Sequence, residues 1–594
     1  MKRLKTDEVE RILNIVRKTV SSFSRRKMQE IKNVKYYFGE QWDIDEIMER
    51  EKEGKPTLTF NHIKRFVNWL YGTVRGMNVE IRAMPQSIQN EQVANIVSGL
   101  IKVAMLEQKN KTQIELATLD GFIRGVGFVH VYPDFFEDPN GKIIIKRIDP
   151  LDVYWDTLSE SPDLSDAKFV FFVERATRDD LIERYPHKEK EIKNAIVSYT
   201  SLRDLLGLKQ EEALQIEDYI SFWEGLLETA YGKLYPVIHF RESFYATELA
   251  IYNKQTDTYI NLPSQFERVD VEMYVNALND KFGENVFKLE EVKVKRWKKI
   301  TLLGSLVLEY FENPYGAVNY DIIPFFCYKL GRHYQGFVDD LIDPQDEFNW
   351  RKSLILEIMK EMPIDSFFIP RGSATEIEIE DMKERLKKRK QLIPIRFEFG
   401  QPIPVVSDVL NKLTALIQYE QLLRVDLKEI GGMVDALTGI VPRKLQSGKA
   451  IQALQQWGVV PFEAIFTNYY YFLYTIANLV WKISKFVYAN KKTVKILLDN
   501  TGTSDVVDIN IETEAGTLNQ ILMDEYDVQL VPIASGADEM TEKFMELIQL
   551  RQLGVPIPDE FLILFSKVPF KQQIINAIQQ MRQQLLQQNQ TEGE

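Results

Sequence analysis

Apolar residues recur at helical spacing through the first 110 positions. Ile12, Ile15, Val16 and Val20 mark one amphipathic helix, and Ile63, Phe66, Val67, Leu70 and Val74 mark another, because residues three and four apart share a helix face. Between them Phe38-Gly39-Glu40-Gln41-Trp42 and Gly54-Lys55-Pro56 form a turn-prone passage. From Gly125 the period changes. Phe128 to Tyr132 and Lys142 to Ile148 read as strands around a Pro139-Asn140-Gly141 turn, with further strands expected at 169–173, 237–240 and 292–297. Residues 1–335 are therefore expected to hold N-terminal helices and a mixed α/β region.

Helix dominates again after Gly336. Asp343-Pro344-Gln345-Asp346 reads as an N-cap, a proline at the first helical position and an early carboxylate. The helix that follows, assigned to 336–360 and including Asn349, runs to Met362-Pro363. Two short apolar strands, 367–370 and 392–397, flank a charged helix over 377–390 in a small α/β unit spanning 361–405. A second long helix occupies 406–430 and stops at Gly431-Gly432, since glycine accepts the left-handed backbone that ends a helix. After 431–448 the longest helix is expected from Lys449 to Tyr488, about 60 Å at about 1.5 Å per residue. Pro461 should kink it. Strands near 494–498, 506–511 and 526–531 complete a unit over 449–540, and helices with a glutamine-rich tail fill 541–594. Within that tail Ile574, Ile578, Met581 and Leu585 form a short heptad-like seam. The fold class is α+β.

Charge narrows the functional choices. The chain carries 74 basic and 87 acidic residues, a net charge of −13. Tight binding to nucleic acid over the whole surface is not expected, because such binding rests on neutralised phosphates. Cys327 is the only cysteine, so neither an internal disulfide nor a Cys-based zinc site can form. The charged start and the thirteen-residue apolar stretch 469–481 are too polar or too short for a membrane span. The chain reads as a soluble intracellular protein with no membrane partner.

Enzyme motifs fail on inspection. Ser447-Gly448-Lys449-Ala450 ends like a phosphate-binding loop, but Arg443 stands at the first glycine and Ala450 lacks the hydroxyl that binds magnesium. Gly125-Val126-Gly127 has His130 where a dinucleotide fingerprint needs glycine, and it leads into a strand. No cofactor is implied. His62, His130, His187, His239 and His333 are too scattered for a local zinc pair. Two aspartate groups, Asp149/Asp152/Asp156 and Asp339/Asp340/Asp343, could hold magnesium, although both sit where Asp caps turns and helices. Lys383, Arg385, Lys387, Lys388, Arg389 and Lys390 form the densest basic run, either a solvated helix end or a patch for an acidic partner.

Several segments resemble the portal proteins of tailed bacteriophages, most closely the short-tailed (podovirus) type. They are GEQW at 39–42, KPTLTFNHIKRFVNWLYG at 55–72, IDPLDVYWD at 148–156 and SDAKFVFFVE at 165–174. GFVDDLIDPQDEFNWRKS at 336–353 and QSGKAIQALQQWG at 446–458 follow in the same order. The resemblance implies a ring, usually of twelve subunits, at one capsid vertex, through which double-stranded DNA is packaged and later ejected. It makes residues 1–335 N-terminal helices and wing, 336–360 and 406–430 stem helices, and 361–405 a clip. The clip would dock the terminase large subunit and then a head-tail adaptor, with Lys383 to Lys390 as its patch. Residues 431–448 become a tunnel loop near DNA, with Gly431, Gly432, Arg443 and Lys444 as its candidate residues. Asp343, Pro344, Gln345 and Asn349 start the first stem helix, Pro461 kinks the long helix, and 541–594 is a crown. Capsid and scaffolding proteins are further implied partners, and the implied location is the virion after assembly in host cytoplasm. ATP hydrolysis falls to the terminase, so no catalytic residue, cofactor or metal is implied. The competing reading is a metal-dependent DNA-processing enzyme using the aspartate groups and the basic 383–390 helix.

Overall fold

The computed structural model describes residues 4–85, 91–136, 138–139, 141–198, 234–254, 257–261, 268–282, 286–315, 319–361, 375–377, 380, 409–432, 460–489, 493–497, 504–513, 516–518, 526–533, 536–559, 562–563 and 578. Helices and strands are mixed, as the α+β reading expects. The longest helix described is the first, α1 (Thr6–Phe38), and at about 1.5 Å per residue it extends roughly 50 Å. Its apolar stripe changes partner along its length. Val9, Ile12, Leu13, Val16 and Val20 pack on Phe171, Val173, Ile238, Phe240, Ile300 and Leu302. Phe23 joins Phe128 and Trp155, and Tyr36 and Tyr37 enter the largest core. One helix thus ties three hydrophobic clusters together.

Those first partners lie on a six-stranded antiparallel sheet. Its path runs Val153–Trp155, Phe169–Thr177, Leu234–Asn253, Phe287–Leu303 and Leu306–Glu312, with Thr258–Asn261 paired to the long Leu234–Asn253 strand. Side chains alternate across its faces. Phe171 and Val173 meet α1, whereas Val170 and Phe172 join the cluster that includes Phe128, Ile322 and Phe326 from a second sheet. That second sheet has three antiparallel strands in the order Ile322–Phe326, Val126–Asp134, Lys142–Ile148.

Following α1, α2 (Ile44–Lys52), α3 (His62–Gly76), α4 (Glu91–Leu106) and α5 (Gln108–Arg124) complete the N-terminal helices. Helix α5 lies against the three-stranded sheet at unusually close range. A Cβ on Gly127 would stand 1.8 Å from the Ala117 carbonyl oxygen, and one on Gly121 would stand 2.2 Å from the Phe325 ring. The Gly125-Val126-Gly127 motif therefore serves helix-on-strand packing, and it leads into a strand as expected.

Between the two sheets sits a buried ionic group. Arg241 donates from Nε to Asp321 Oδ1 at 2.8 Å and from Nη2 to Oδ2 at 2.9 Å. His130 Nε2 lies 3.0 Å from Asp321 Oδ2 and 3.2 Å from Arg241 Nη2. Arg241 and Asp321 are both 0% exposed. Burial opposes the charge on Asp321, but Arg241 and His130 outweigh it and hold the carboxyl well below the usual range. Losing Arg241 or Asp321 would leave the other as a bare buried charge, at a cost of about 3–5 kcal/mol.

Among the described residues, the C-terminal half has three helices of 20 residues or more. Ile342–Glu361 and Val409–Ile430 pair antiparallel, with Phe348, Leu423 and Leu427 in the main core. Glu463–Val487 runs through that core and buries Ile465, Phe466, Phe472, Ile476, Val480 and Trp481. Strand Tyr526–Ile533 pairs antiparallel with Asn78–Pro85, joining distant parts of the chain, Asn78 opposite Ile533 and Pro85 opposite Tyr526.

Several boundaries differ from the sequence reading. The strands expected at 237–240 and 292–297 extend over 20 and 17 residues, because each is the other's long-range partner. The helix expected to begin after an Asp343 cap begins at Ile342, following a 3-10 turn at Asp339–Leu341. Asp343 and Pro344 therefore occupy the first turn, where a missing N–H costs nothing. Pro461 lies in a 3-10 turn, Val460–Phe462, directly before Glu463–Val487 rather than inside the described helix. Residues 449–459 of the expected long helix lie outside the described residues, as do the strands at 367–370 and 392–397 and, but for Ile578, the heptad-like seam.

Burial, with help from Arg241, pushes the His130 imidazole down to about 4 from an ordinary 6.5, while Asp321 opposes the shift. Between those values the unfolded chain binds a proton that the folded one does not. Its contribution is complete above about 6.5 and is lost as pH falls toward about 4. His130→Gln should flatten the loss of thermal midpoint between pH 6.5 and 4. An unchanged slope would exclude His130 as a source of that loss.

Candidate functional site at the root of the paired helices

Three of the quoted segments, 39–42, 55–72 and 336–353, meet at one place. Gln345, Asn349 and Ser353 project from successive turns of Ile342–Glu361 toward the extended segment 58–62. Ser353 Oγ accepts from the Leu58 N–H at 2.9 Å, Asn349 Oδ1 from the Phe60 N–H at 2.9 Å, and Gln345 Oε1 from the His62 N–H at 3.1 Å. Gln345 Nε2 donates back to the Phe60 carbonyl at 2.9 Å. The repeats almost coincide: four helical residues rise about 6.0 Å and two extended residues about 6.6 Å. A helix face thus takes the place of a neighbouring strand. Gln345, Asn349 and Ser353 are at most 2% exposed.

The turn at Gly39 to Trp42 closes the same network. Asn349 Nδ2 donates to Gln41 Oε1 at 2.6 Å, and Gln41 Nε2 donates to the Tyr36 carbonyl at 2.9 Å. Trp42 Nε1 donates to the Leu58 carbonyl at 3.1 Å. Asn61 caps α3 by accepting from the Lys64 N–H at 2.9 Å, and its Nδ2 donates to the Tyr37 carbonyl, also at 2.9 Å. Charged contacts bracket the ladder. Tyr36 donates to Asp346 at 2.7 Å, and Arg50 pairs with Glu357 at 3.3 Å.

The second helix is fastened to the first by Lys352 and Glu420 at 2.9 Å and by Arg351 over the Tyr419 ring at 5.0 Å. It ends where the sequence expects. The Gly431 N–H bonds the Leu427 carbonyl at 3.0 Å, and Gly432 adopts φ +63°, which a side chain rarely tolerates. A Cβ on Gly432 would also stand 2.9 Å from the Phe462 ring, and one on Gly431 would stand 3.2 Å from that of Phe66. The outer face of the helix exposes Ile417, Leu422, Val425 and Ile430, so it carries a second apolar face beside the one packed inside.

The aspartate groups have other employment. Asp149 receives Arg124 and Arg147, and Asp152 pairs with Arg175 at 3.0 Å. Asp156 accepts from the Leu158 and Lys168 N–H groups at 3.1 and 3.2 Å. Asp339 pairs with Arg26 at 3.2 Å, and Asp340 accepts from Gln335 at 3.0 Å. Among the described residues no group of three or more His, Cys, Asp or Glu side chains is arranged to hold a metal ion. Two of the histidines are paired at the two antiparallel sheets, His130 with Asp321 and His239 with Glu174 at 2.9 Å.

Arg443 and Lys444 lie outside the described residues, as do Lys383, Arg385, Lys387, Lys388, Arg389 and Lys390. Gln345 and Asn349 were read as part of a helix start, and the structure gives them the larger task of holding a second segment. The parts of Gln41, Phe60 and Ser353 were not read at all. The available signal was the polar row Gln345, Asn349, Ser353 at four-residue spacing, on a helix turned toward the core.

Asn349→Leu keeps the volume but leaves the Phe60 N–H and the Gln41 carbonyl without partners, at about 1–3 kcal/mol for each. Hydrogen exchange at the Phe60 amide should accelerate while amides of Phe169–Thr177 stay protected. Equal acceleration at both would mean that the network does not act locally. Comparison with known sequences completes the description of the site. The sequence profile of the phage P22-like portal protein family matches residues 18–594. No curated protein matches the chain at a significant level.

Proposed function

Because the chain belongs to the phage P22-like portal protein family, we propose that copies of it close into a ring, twelve in number, that conducts double-stranded DNA. Phage portal proteins sit at the capsid vertex and serve DNA packaging, and the family is structural rather than catalytic. Among the described residues no helix is long and apolar enough to cross a membrane. The observation that carries the reading is the family match over nearly the whole chain. The paired helices support it: Ile342–Glu361 and Val409–Ile430 act as stem helices, rooted by the amide ladder and presenting Ile417, Leu422 and Val425 to a neighbouring copy. A ring needs such a heterologous contact, one that closes by rotation.

In this reading residues 361–405 are the clip, where Lys383 to Lys390 meet the terminase large subunit during packaging and the head-tail adaptor afterwards. Residues 431–448 form the tunnel loop, with Gly431 and Gly432 as its hinge and Arg443 and Lys444 near DNA, and 541–594 form the crown. Capsid and scaffolding proteins surround the ring. The net charge of −13 suits a conduit, since a strongly basic lumen would retain DNA through many phosphate contacts. No observation favours the metal-dependent enzyme, because Asp149, Asp152, Asp156, Asp339 and Asp340 are engaged by cations, amides or backbone N–H groups.

Native mass measurement and negative-stain imaging test the proposal. The expected result is an annulus near twelve times the subunit mass with a central opening. A monomer at every concentration, or magnesium-dependent cleavage of plasmid, would overturn it.

A further inference from the structure

Helix α2 has 9 residues, and none of them is buried. Helices this short are marginal in water, and most owe their stability to an apolar face packed on a partner. Arg50 ties α2 inward, to Glu357 at 3.3 Å and to the Pro56 carbonyl at 3.2 Å. The other side of the helix carries Ile44, 66% exposed, and Met48, 52% exposed, one turn apart. Asp45 and Glu49 run beside them at the same four-residue spacing. Both are exposed, and among the described residues neither forms an ion pair. An apolar row flanked by a carboxylate row is therefore turned away from its own chain.

The outer face of α1 is its chemical complement. From Arg11 to Phe38 this helix carries eight basic residues and a single carboxylate, Glu30, which is 0% exposed. Arg11, Arg26 and Lys27 are paired with Glu242, Asp339 and Glu30. Lys18, Arg25 and Lys32 are exposed, and among the described residues none of the three forms an ion pair. They follow one another at seven-residue spacing, so they line one side of the helix at intervals of about 10.5 Å. Met28 is exposed between Arg25 and Lys32, and Lys32 lies over the Tyr36 ring at 5.3 Å. A solvated helix face ordinarily mixes the signs, with opposite charges four residues apart, as Glu189 and Lys193 are on Glu189–Ser198. The helix dipole does not account for the row either, because its effect fades within a turn and Lys18 and Arg25 lie mid-helix.

We infer that α2 of one copy docks on the outer face of α1 of a second copy, with Met48 against Met28 and with Asp45 and Glu49 against Arg25 and Lys32. The inference rests on the ring reading and adds to it a contact separate from the exposed face of Val409–Ile430. Charge complementarity selects the occupant, because carboxylates around one methionine meet cations around another. Within its own chain α2 is turned elsewhere. Arg50 holds it to Glu357 on Ile342–Glu361, while Arg25 lies about 20 Å back along α1 from Phe38. The two surfaces differ, so the contact is head-to-tail, the kind that rotation closes into a ring. Docking also gives the short helix the packed face that its own chain does not supply.

Cross-linking of the full-length assembly tests the contact. Cys327 is buried, which leaves introduced thiols as the reactive ones. Met28→Cys/Met48→Cys treated with a short bismaleimide should give a ladder of covalently joined chains on a denaturing gel, and either single variant should give none. Asp45→Lys/Glu49→Lys and Arg25→Glu/Lys32→Glu should each raise the dissociation constant between copies by about tenfold, and all four changes together should restore it. A ring of normal mass without the ladder, a ladder from a single variant, or a fourfold variant no tighter than either pair would overturn the docking and leave the ring itself standing. Failure of the wild-type chain to form any ring would instead remove the reading on which the docking depends.

Discussion

A backbone segment without a neighbouring strand must find other partners for its N–H and carbonyl groups, and segment 58–62 is such a segment. Gln345, Asn349 and Ser353 supply them from a helix. The near match between four helical residues and two extended ones lets three successive side chains reach alternate residues Leu58, Phe60 and His62. Everything around the root depends on this register. A helix of 20 residues is held by its first three turns, and the turn at Gly39–Trp42 is locked through Gln41. Side-chain amides suit the task because each donates and accepts at once without charge, so burial carries no ionic desolvation cost.

The region of the two antiparallel sheets is assembled on a different principle. Its two sheets meet across apolar rings, but their relative setting is fixed by Arg241, Asp321 and His130, a group that is satisfied only when both sheets are in place. Helix α1 then runs from the outer face of the six-stranded sheet to the core beneath the paired helices. Along it Arg26 reaches Asp339, Asn33 bonds the Ile123 carbonyl and Tyr36 reaches Asp346. The six-stranded sheet and the root of the paired helices are consequently joined through one continuous element.

Many of the charged groups in this chain are paired with one another. Carboxylates that look available in the sequence, such as Asp149 and Asp152, neutralise arginines on neighbouring elements.

Local chemistry made much of this legible in the sequence. Lys142–Ile148 was read with the bounds it has, because a turn and an apolar strand declare themselves within ten residues. The stop at Gly431-Gly432 and the apolar face of α3 were equally local, and the family resemblance rested on short segments whose order the chain preserves. Tertiary structure decided the rest. The outer parts of Leu234–Asn253 and Phe287–Leu303 carry mixed polar sequence and become strands only because each pairs with the other. Asp149 belonged to a candidate metal group in the sequence, and the fold instead sets Arg124 and Arg147 beside it. Gln345 and Asn349 looked like ordinary helix residues until segment 58–62, nearly three hundred positions away, was placed against them. Periodicity and turn signals need only the chain's own neighbours, whereas the partner of a buried polar atom is set by which distant segment the fold brings within about 3 Å.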